Sequence, residues 1–428
     1  MKIEIKLPEK VSHILETLHH AGYEAYAVGG CVRDSLMGRV PDDWDITTSA
    51  KPEETKKLFD RTIDTGIEHG TVTVMIDHEG FEVTTYRIDG EYTDSRHPKE
   101  VSFTSNLVED LKRRDFTINA MAYNEKDGLV DEFDGIKDMK EKKIRCVGNP
   151  EERFAEDALR IMIAVRFAAQ LGFQIEKETS DAIKKLAPSL RAISAERIQT
   201  ELVKLLVSQN PQLICRIVEL GIAKTILPEL DETLSDFTSV KEEEKEKTQE
   251  RFEALKLYPN DKSIRLAAVF QILGKDAQDS AEKTKKLLKR LKFDNDTMNK
   301  TTHLIQFKDM EIPLNKAAVR KAIYKTGEEI FPILLEFRKS NEEAKKEIAP
   351  DKENKKKETC QIEQLYEEII KAGDCLSLKT LAVTGKDLIA AGMKPGKELG
   401  ICLEKMLLDV LEHPEHNNKE YLLYSVLP

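Results

Sequence analysis

The spacing of hydrophobic residues changes near residue 150, and the change predicts two kinds of structure in one chain. Before about residue 145, Val, Thr, Ile and aromatic residues recur with a period of two, as in TVTVMID (71–77) and FEVTTYRID (81–89). A helical stretch, KPEETKKLF (51–59), has Pro52 in its first turn. This order of strand-like and helical stretches predicts a mixed α/β domain.

The remainder of the chain is predicted to be helical. Hydrophobic residues recur there with a period of 3.6, as in EDALRIMIAVRFAAQLGF (156–173) and AERIQTELVKLL (195–206). Two charge-dense segments, 241–251 and 349–358, are predicted to be exposed linkers or helix ends that mark domain boundaries. The expected fold class is therefore α+β, a small mixed-sheet head followed by an all-helical neck, body and tail.

Composition narrows the class of protein. With 428 residues, 40% of them hydrophobic and 34% charged, the chain is long enough for two to four domains of about 100 to 200 residues each. It has no apolar run of about 18 residues and no N-terminal export signal, so we expect a cytoplasmic protein without a membrane partner. The six cysteines lack CxxC spacing, which favours free thiols over a zinc site or disulfides. The HPEH segment (413–416) has too few partners for a metal site.

The net charge of −11 argues against indiscriminate binding of polyanions, because such binding comes mainly from Lys and Arg. A local cluster such as KTKKLLKRLK (283–292) can still form a positive stripe on an acidic protein, and a solvated helix face is the alternative interpretation. The charge therefore leaves a localised nucleic-acid contact open.

The segment AVGGCVRDSLMGRVPDDWDITTS (27–49) is predicted to form a strand, a glycine turn, a helix, a loop and a second strand. A glycine pair allows a ligand to approach the backbone closely, and the following helix offers free N–H groups to an anion. Gly29 and Gly30 are thus a candidate phosphate seat, and Arg33, one helical turn later, could add a two-pronged contact. An ordinary tight turn is the alternative.

Asp43 and Asp45 are the candidate metal ligands. They stand at the start of a predicted strand, where residues i and i+2 point to the same face. Two carboxylates without a nearby His or Cys suit Mg²⁺, whose other ligands are usually water and substrate phosphates. Trp44, between them, is predicted to pack on the opposite face. The alternative is an acidic strand edge that discourages aggregation.

Together, these residues resemble the signature of the DNA polymerase β nucleotidyltransferase superfamily, in the form shared by class II tRNA nucleotidyltransferases (CCA-adding enzymes) and bacterial poly(A) polymerases. Further motifs follow in the family's order. They are TGIEHGTVTV (65–74), RRDFTINAMA (113–122), FDGIKDMKEKKIRCVGNP (133–150) and EDALRIMIAVRF (156–167). The resemblance implies a nucleotidyltransferase head (1–145), a base-recognising neck (146–210), an RNA-binding body (211–305) and a tRNA-binding tail (306–428).

The resemblance also implies a role for each site residue. Asp43 and Asp45 are implied to be catalytic and to bind the metal ions, with Glu82 as the counterpart of a third carboxylate. The RRD motif (113–115) is implied to recognise the ribose and the triphosphate, and a basic surface helix is its alternative. The residues implied to bind the nucleotide are Gly30, Arg33, Arg114, Asp157, Arg160 and Arg166.

The EDxxR motif is the most informative of these. Asp157 and Arg160 are three residues apart on a predicted amphipathic helix, so both can project from one face. By the resemblance they imitate a template: the carboxylate accepts from the amino group of cytosine or adenine, and the guanidinium donates to the neighbouring ring nitrogen. A surface salt bridge between the two is the alternative. Ile163 departs from the family, whose branch commonly has another arginine there.

CCA addition is the favoured activity. The TGIEHGTVTV segment and residues 383–412 resemble the CCA-adding enzymes, and no GRRF-like segment of the polymerases is found. The predicted reaction adds C, C and A to the 3′ end of tRNA from CTP and ATP and releases pyrophosphate, by two-metal transfer. The alternatives are a poly(A) polymerase, an enzyme that adds only CC, and an inactive RNA-binding protein; the loop at 90–106 favours full CCA addition. A homodimer is left open.

Overall fold

A computed structural model describes residues 3–90, 101–234, 242–348 and 356–425. The chain forms two compact units, Met1–Pro228 and Glu229–Pro428. The predicted head and neck lie in the first unit, whereas the predicted body extends across the division, so four separate domains stay a prediction. Most of the loop that favours CCA addition, residues 91–100, lies outside the described residues, as do residues 349–355 of the second charge-dense segment.

The head contains a mixed sheet, as predicted. The strands of the first unit are β1 (Ala25–Val28), β2 (Ile46–Thr48), β3 (Thr62–Gly66), β4 (Thr71–Ile76), β5 (Glu79–Thr85), β6 (Arg87–Asp89), β7 (Val101–Phe103), β8 (Ala122–Asn124), β9 (Gly128–Val130), β10 (Lys143–Ile144) and, in the neck, β11 (Gln174–Ile175). Seven of them form one sheet in the order β3-β4-β5-β2-β1-β8-β9, with β2 parallel to β5 and the other neighbours antiparallel. The connection from β1 to β2 therefore lies at the middle of the sheet.

Helices cover both faces of this sheet. Those of the first unit include α1 (Glu9–His20), α2 (Gly30–Leu36), α3 (Pro52–Leu58), α4 (Leu107–Lys112), α5 (Gly135–Lys140), α6 (Pro150–Glu156), α7 (Leu159–Leu171), α8 (Lys177–Leu186) and α9 (Ala195–Leu206), and short helices follow at Cys215–Glu219 and Ala223–Ile226. A further short helix, Pro228–Thr233, begins at the last residue of this unit. Because successive strand residues point to opposite faces, β1 contributes Ala27 to the core with Leu18 of α1 and Tyr26 to the core with Leu111 of α4.

Aromatic rings join the neck helices to the head. Phe167 of α7 meets Phe116 of the head edge to face, with ring centroids 5.8 Å apart. The guanidinium of Arg33 lies 5.1 Å from the Phe167 ring centroid, and that of Arg166 lies 4.1 Å from it. The Phe167 ring therefore joins α7 of the neck to two parts of the head, namely Phe116 and Arg33 of α2.

Helices are the regular secondary structure of the second unit in its described residues, and turns and loops connect them. Its helices are Glu242–Glu253, Lys262–Phe270, Ala277–Arg290, Asn295–Phe307, Lys316–Thr326, Phe331–Ile348, Lys356–Ala372, Gly385–Ala390, Lys397–Glu412 and Lys419–Tyr424. Residues 242–251 of the first charge-dense segment form most of the helix Glu242–Glu253 rather than a linker or a helix end, because Glu and Lys are strong helix formers even without an apolar face. In the described part of the chain, no helix has both the length and the hydropathy to cross a membrane.

Candidate active site

The turn between β1 and α2 brings two glycines and two arginines together. Gly29 has a φ of +82°, a conformation that favours glycine, and its N–H donates to the carbonyl oxygen of Met121 at 3.2 Å. A Cβ atom at Gly29 would lie 3.2 Å from Nη1 of Arg114, and one at Gly30 would lie 3.6 Å from Nη2 of Arg33. Both guanidinium groups therefore stand beside the glycine turn, as the predicted phosphate seat requires.

Arg33 is nearly buried, and its guanidinium already has protein partners. Nε and Nη2 donate to the two carboxylate oxygens of Asp34 at 3.0 and 2.8 Å, and Nη1 donates to Oδ1 of Asn119 at 2.7 Å. The two-pronged contact that the sequence predicts for a phosphate is thus made with Asp34 in this structure. Arg33 adds positive charge to the turn and holds Asn119 against α2.

The strand after the acidic segment begins later than the sequence predicts. β2 starts at Ile46, so Asp43 and Asp45 lie in the connection before it, and the prediction that both are strand residues is wrong. The carbonyl of Asp45 does extend the pairing with β1, since it accepts the Val28 N–H at 3.0 Å. Pro41, which has no N–H to donate, and the aspartates themselves disfavour a longer strand.

Three carboxylates and one arginine influence one another at this edge of the sheet. Asp45 is exposed, yet its pKa is raised to about 6, first because nearby protein displaces part of the water around the carboxylate and then because Asp43 is negatively charged. Arg114 opposes this shift, and Glu82, on the neighbouring strand β5, adds to it. The structure therefore places Glu82 with the two predicted metal ligands.

The chemistry of these donors fits a hard divalent cation. Among the residues that the structure describes, the carboxylates of Asp43, Asp45 and Glu82 form neither a hydrogen bond nor an ion pair. Their mutual repulsion is the kind that a divalent cation relieves, and carboxylate oxygens suit Mg²⁺. Trp44, between the two aspartates, packs against the hydrophobic core of the head, as predicted. The Trp44 ring thus anchors the acidic connection to the core, and the carboxylates of Asp43 and Asp45 stay available to a ligand.

Asp110 is a site residue that the sequence patterns do not reveal. Its fully buried carboxylate accepts from Nε of Arg113 at 2.9 Å, Nη2 of Arg114 at 3.3 Å and Oγ1 of Thr47 at 3.1 Å. Burial by itself would raise the pKa of Asp110, but the charges of Arg114 and Arg113 outweigh it and the pKa is lowered. Asp110 therefore anchors both RRD arginines beside the strand that follows the acidic connection.

Asp110→Asn is expected to lower the free energy of unfolding by about 3 kcal/mol at neutral pH, because it leaves two guanidinium groups without their buried carboxylate. The folded-state pKa is lowered, so the difference from the wild type should be full above the ordinary pKa of 3.8 and should shrink as the pH falls below it. Urea denaturation at several pH values measures this, with Glu109→Gln as the matched control. A difference that does not depend on pH would contradict the ion-pair assignment.

Arg114 and Asp115 of the RRD motif do different things. Nε of Arg114 is buried and has no hydrogen-bond partner among the described residues. A buried donor of this kind usually has a partner, and an oxygen of a bound anion would satisfy it. Asp115 instead accepts from the Phe116 N–H at 2.7 Å and from Nδ2 of Asn119 at 3.4 Å. Arg114 thus faces the glycine turn, whereas Asp115 stabilises the backbone after the motif.

The EDxxR motif does not lie on one continuous helix, contrary to the prediction. α6 ends at Glu156 and α7 begins at Leu159, so Asp157 lies in the break between them. Asp157 is extended, with φ −140° and ψ 105°, and its Oδ1 accepts the Leu159 N–H at 2.9 Å. An aspartate in this position satisfies a free N–H at the start of a helix. Asp157 therefore caps α7, and Arg160 lies in the first turn of that helix.

Asp157 and Arg160 have separate partners. Nη2 and Nη1 of Arg197, on α9, donate to the two oxygens of Asp157 at 2.7 and 3.4 Å. Nη1 of Arg160 donates to Oε2 of Glu156 at 2.5 Å and to the carbonyl oxygen of Arg153 at 3.0 Å. The predicted alternative, a surface salt bridge between Asp157 and Arg160, is not among their described contacts. Sequence spacing does not indicate the Arg197 contact, because 40 residues separate it from Asp157.

Arg166, the remaining residue predicted to bind the nucleotide, lies on the least buried face of α7. A stripe of half-buried residues runs along this largely buried helix, namely Arg160, Ile163, Arg166 and Gln170. Arg166 shares this face with Arg160, as predicted, but its guanidinium is paired with Glu201 of α9 and donates to Oε1 of Gln170 at 2.6 Å. Ile163 makes the middle of the stripe apolar, where the family's branch commonly has an arginine.

The HPEH segment of the second unit holds more ligand atoms than its sequence indicates. One atom each of His413, Glu415 and His416 lie within 4.8 Å of one another, and Nδ1 of His416 is 2.9 Å from Oδ2 of Asp409. The two imidazole rings stack with centroids 4.8 Å apart, and His416 also stacks on Tyr421. A ring nitrogen binds a metal in the plane of its ring, so stacked rings indicate packing at a helix end.

Three family models match the chain in succession. Residues 25–145 match a poly(A) polymerase head domain, residues 172–234 match a probable RNA and SrmB-binding site of polymerase A, and residues 266–426 match a tRNA nucleotidyltransferase domain 2. The first match ends where the predicted head ends, at residue 145.

Full-length relatives are CCA-adding enzymes. The protein of Levilactobacillus brevis is 39% identical over 98% of this chain and 97% of its own, and that of Limosilactobacillus reuteri is 37% identical over 100% and 98%. Among solved structures, the Bacillus stearothermophilus CCA-adding enzyme in complex with CTP superposes with a TM-score of 0.76 at 30% identity, covering 97% of this chain and 96% of that one. The similarity therefore extends over both units.

Proposed function

The chain belongs to the family of CCA-adding enzymes, and on that basis we propose how its residues carry out the reaction. The predicted activity, addition of C, C and A to the 3′ end of tRNA from CTP and ATP with release of pyrophosphate, is confirmed by relatives that match the whole chain. The poly(A) polymerase alternative is set aside, because a head of that type is shared while the full-length relatives are CCA-adding enzymes.

The carboxylate cluster carries the catalytic part of the proposal. Asp43 and Asp45 are the catalytic carboxylates and metal ligands, and Glu82 is the third carboxylate. When bound there, Mg²⁺ supplies Lewis-acid stabilisation of the attacking 3′ oxygen and of the pyrophosphate that leaves. The protein's own contribution is to hold the three carboxylates together beside a positive charge, that of Arg114, on the side where the triphosphate enters.

The glycine turn and its two arginines receive the triphosphate. Gly29 and Gly30 keep the approach to the backbone free of side chains, and Arg33 and Arg114 surround it with positive charge. Arg114 has an unused buried donor, Nε, whereas the hydrogen bonds of Arg33 are already made with Asp34 and Asn119. We therefore assign a direct phosphate contact to Arg114. Arg33 instead contributes positive charge beside the turn and holds its shape through Asp34 and Asn119.

The start of α7 selects the base. Asp157 accepts a hydrogen bond from the amino group of cytosine or adenine, and Arg160 donates to the adjacent ring nitrogen. Uracil and guanine present a carbonyl oxygen to the carboxylate, so acceptor would face acceptor. Arg166 lies two turns further along the same face, where Glu201 holds it toward α9. One pair of side chains can thus accept CTP and ATP and reject UTP and GTP.

We also propose that the protein works in the cytoplasm with tRNA as its partner. Whether it forms a homodimer is left open. The helix Ala277–Arg290 of the second unit exposes Lys283, Lys285, Lys286 and Lys289. Such a row of exposed lysines supports contact with the phosphates of an RNA backbone in spite of the net negative charge.

The double variant Lys285→Glu/Lys289→Glu is expected to weaken tRNA binding by about tenfold or more at moderate salt, since each lost phosphate contact removes one released counterion. It should also make affinity depend less steeply on salt concentration. Fluorescence anisotropy of labelled tRNA over a salt series measures both effects. The neighbouring acidic position supplies the control, Glu282→Gln. If the double variant keeps the wild-type salt slope, this helix is not part of the tRNA surface.

One incubation tests the activity itself. The purified protein is given tRNA that lacks its CCA end, together with labelled CTP and ATP, and the products are separated by length. We expect exactly three added nucleotides, C, C and A. A long adenylate tail would support a poly(A) polymerase, two added C residues a partial enzyme, and no addition an inactive RNA-binding protein; each of these would overturn the proposal.

A further inference from the structure

Arg197 reaches the base-selecting carboxylate from a third helix. It lies in the first turn of α9 and donates to both oxygens of Asp157 across the break between α6 and α7. Only 24% of the Arg197 side chain and 15% of the Asp157 side chain are exposed. Together with the Leu159 N–H, the guanidinium supplies donors to both carboxylate oxygens and so fixes the plane of the group.

We propose that Arg197 is a positioning residue for base selection, an inference that rests on the proposed role of Asp157. The terminal torsion of an aspartate is broad, and the Leu159 N–H alone contacts only one oxygen, so the carboxylate plane would be free to turn without Arg197. A carboxylate paired with a guanidinium also stays a pure acceptor. Orientation and acceptor state are the two properties that distinguish an amino group from a carbonyl group, and Arg197 controls both.

A second contact between the same helices separates this role from a purely structural one. Arg166 of α7 pairs with Glu201 of α9 and so joins the two helices without involving Asp157. Leu202, Leu205 and Leu206 bury the apolar face of α9 as well. Loss of Arg197 should therefore change the choice of base much more than it changes the folding of the neck.

The test compares Arg197→Gln, Arg197→Lys and the control Arg191→Gln. Arg191 is an exposed arginine of the neck that makes no ion pair with the described residues. For each protein, kcat/KM is measured for CTP and for UTP on tRNA lacking its CCA end, and the thermal unfolding midpoint is recorded. The ratio of the two kcat/KM values does not depend on the active fraction of a preparation, so partial misfolding does not mimic the effect.

We expect Arg197→Gln to lower the preference for CTP over UTP by about tenfold, the value of one good bidentate contact. Arg197→Lys, which keeps the charge and loses the fork, should recover part of it, and Arg191→Gln should match the wild type. In an Asp157→Asn background, Arg197→Gln should change the ratio no further, because both substitutions act on one group.

Three results would overturn the inference: an unchanged ratio in Arg197→Gln, an equal loss in Arg191→Gln, or independent effects of Arg197→Gln and Asp157→Asn. If Arg197→Gln does not fold, the same comparison of ratios is made with Arg197→Lys. The wild-type reaction is read separately. Failure of the wild type to add C, C and A would reject the proposed function, whereas normal addition with unaltered selectivity in the variants would reject only the role of Arg197.

Discussion

Asp43→Ala is expected to lower the initial rate of nucleotide transfer by about a thousandfold or more while the protein stays folded. The carboxylate has no partner among the described residues, so folding does not depend on it, but a bound cation would lose one of its ligands. The measurement is the initial rate of incorporation of labelled CTP into tRNA that lacks its CCA end, in the presence of excess Mg²⁺.

The neighbouring Asp42→Ala is the matched control. Asp42 is exposed and is not among the charges that raise the pKa of Asp45, so its loss should leave the rate unchanged. With a chelator present, the unfolding midpoint of Asp43→Ala should equal or exceed that of the wild type, because one source of repulsion is removed. A near-normal transfer rate in Asp43→Ala would refute the assignment of metal ligands.

Arg160→Ala is expected to reduce the preference for CTP over UTP by about tenfold to a hundredfold, which corresponds to about 1 to 3 kcal/mol for a bidentate base contact. The variant loses the donor to the ring nitrogen, while Asp157 and its hydrogen bonds from Arg197 remain. The measurement is the ratio of kcat/KM for the two nucleotides on tRNA that lacks its CCA end.

Some loss of stability should accompany Arg160→Ala, because Glu156 loses one of its two arginine partners and keeps only Arg153. Comparing ratios of kcat/KM removes the effect of a smaller active fraction. Arg191→Ala, on the exposed surface of the neck, serves as the control. Unchanged rejection of UTP in Arg160→Ala would contradict the template role of the pair and would leave Arg160 as a structural residue at the start of α7.

The periodicity of hydrophobic residues was enough to predict the mixed sheet of the head and the helical remainder, because these depend on local patterns, whereas the roles of the site residues stay predictions. The alternating strands and the glycine turn each carry a signal within about ten residues. The break at Asp157 also had a local signal: an aspartate two residues before a buried apolar run is a helix N-cap. The longer apolar periodicity of 156–173 concealed it.

The partners of the site residues could not be predicted from one sequence. Asp110 contacts Thr47 across 63 residues, and Arg197 contacts Asp157 across 40. Such pairs are determined by how strands and helices pack and leave no trace in periodicity or spacing. The same limit applies to Arg166, whose predicted position on the face of α7 is correct while its partner Glu201 became visible only in the fold.

The Phe167 ring gives the first unit a property beyond packing. It contacts Phe116 of the head and lies under the guanidinium groups of Arg33, beside the glycine turn, and of Arg166, on the face of α7 that we propose selects the base. The span between the proposed phosphate contact and the proposed base contact is therefore held by edge-to-face rings and cation–π contacts before any ligand binds. Such preorganisation reduces the entropy that binding must remove, so affinity for the nucleotide should not require the two ends to be drawn together.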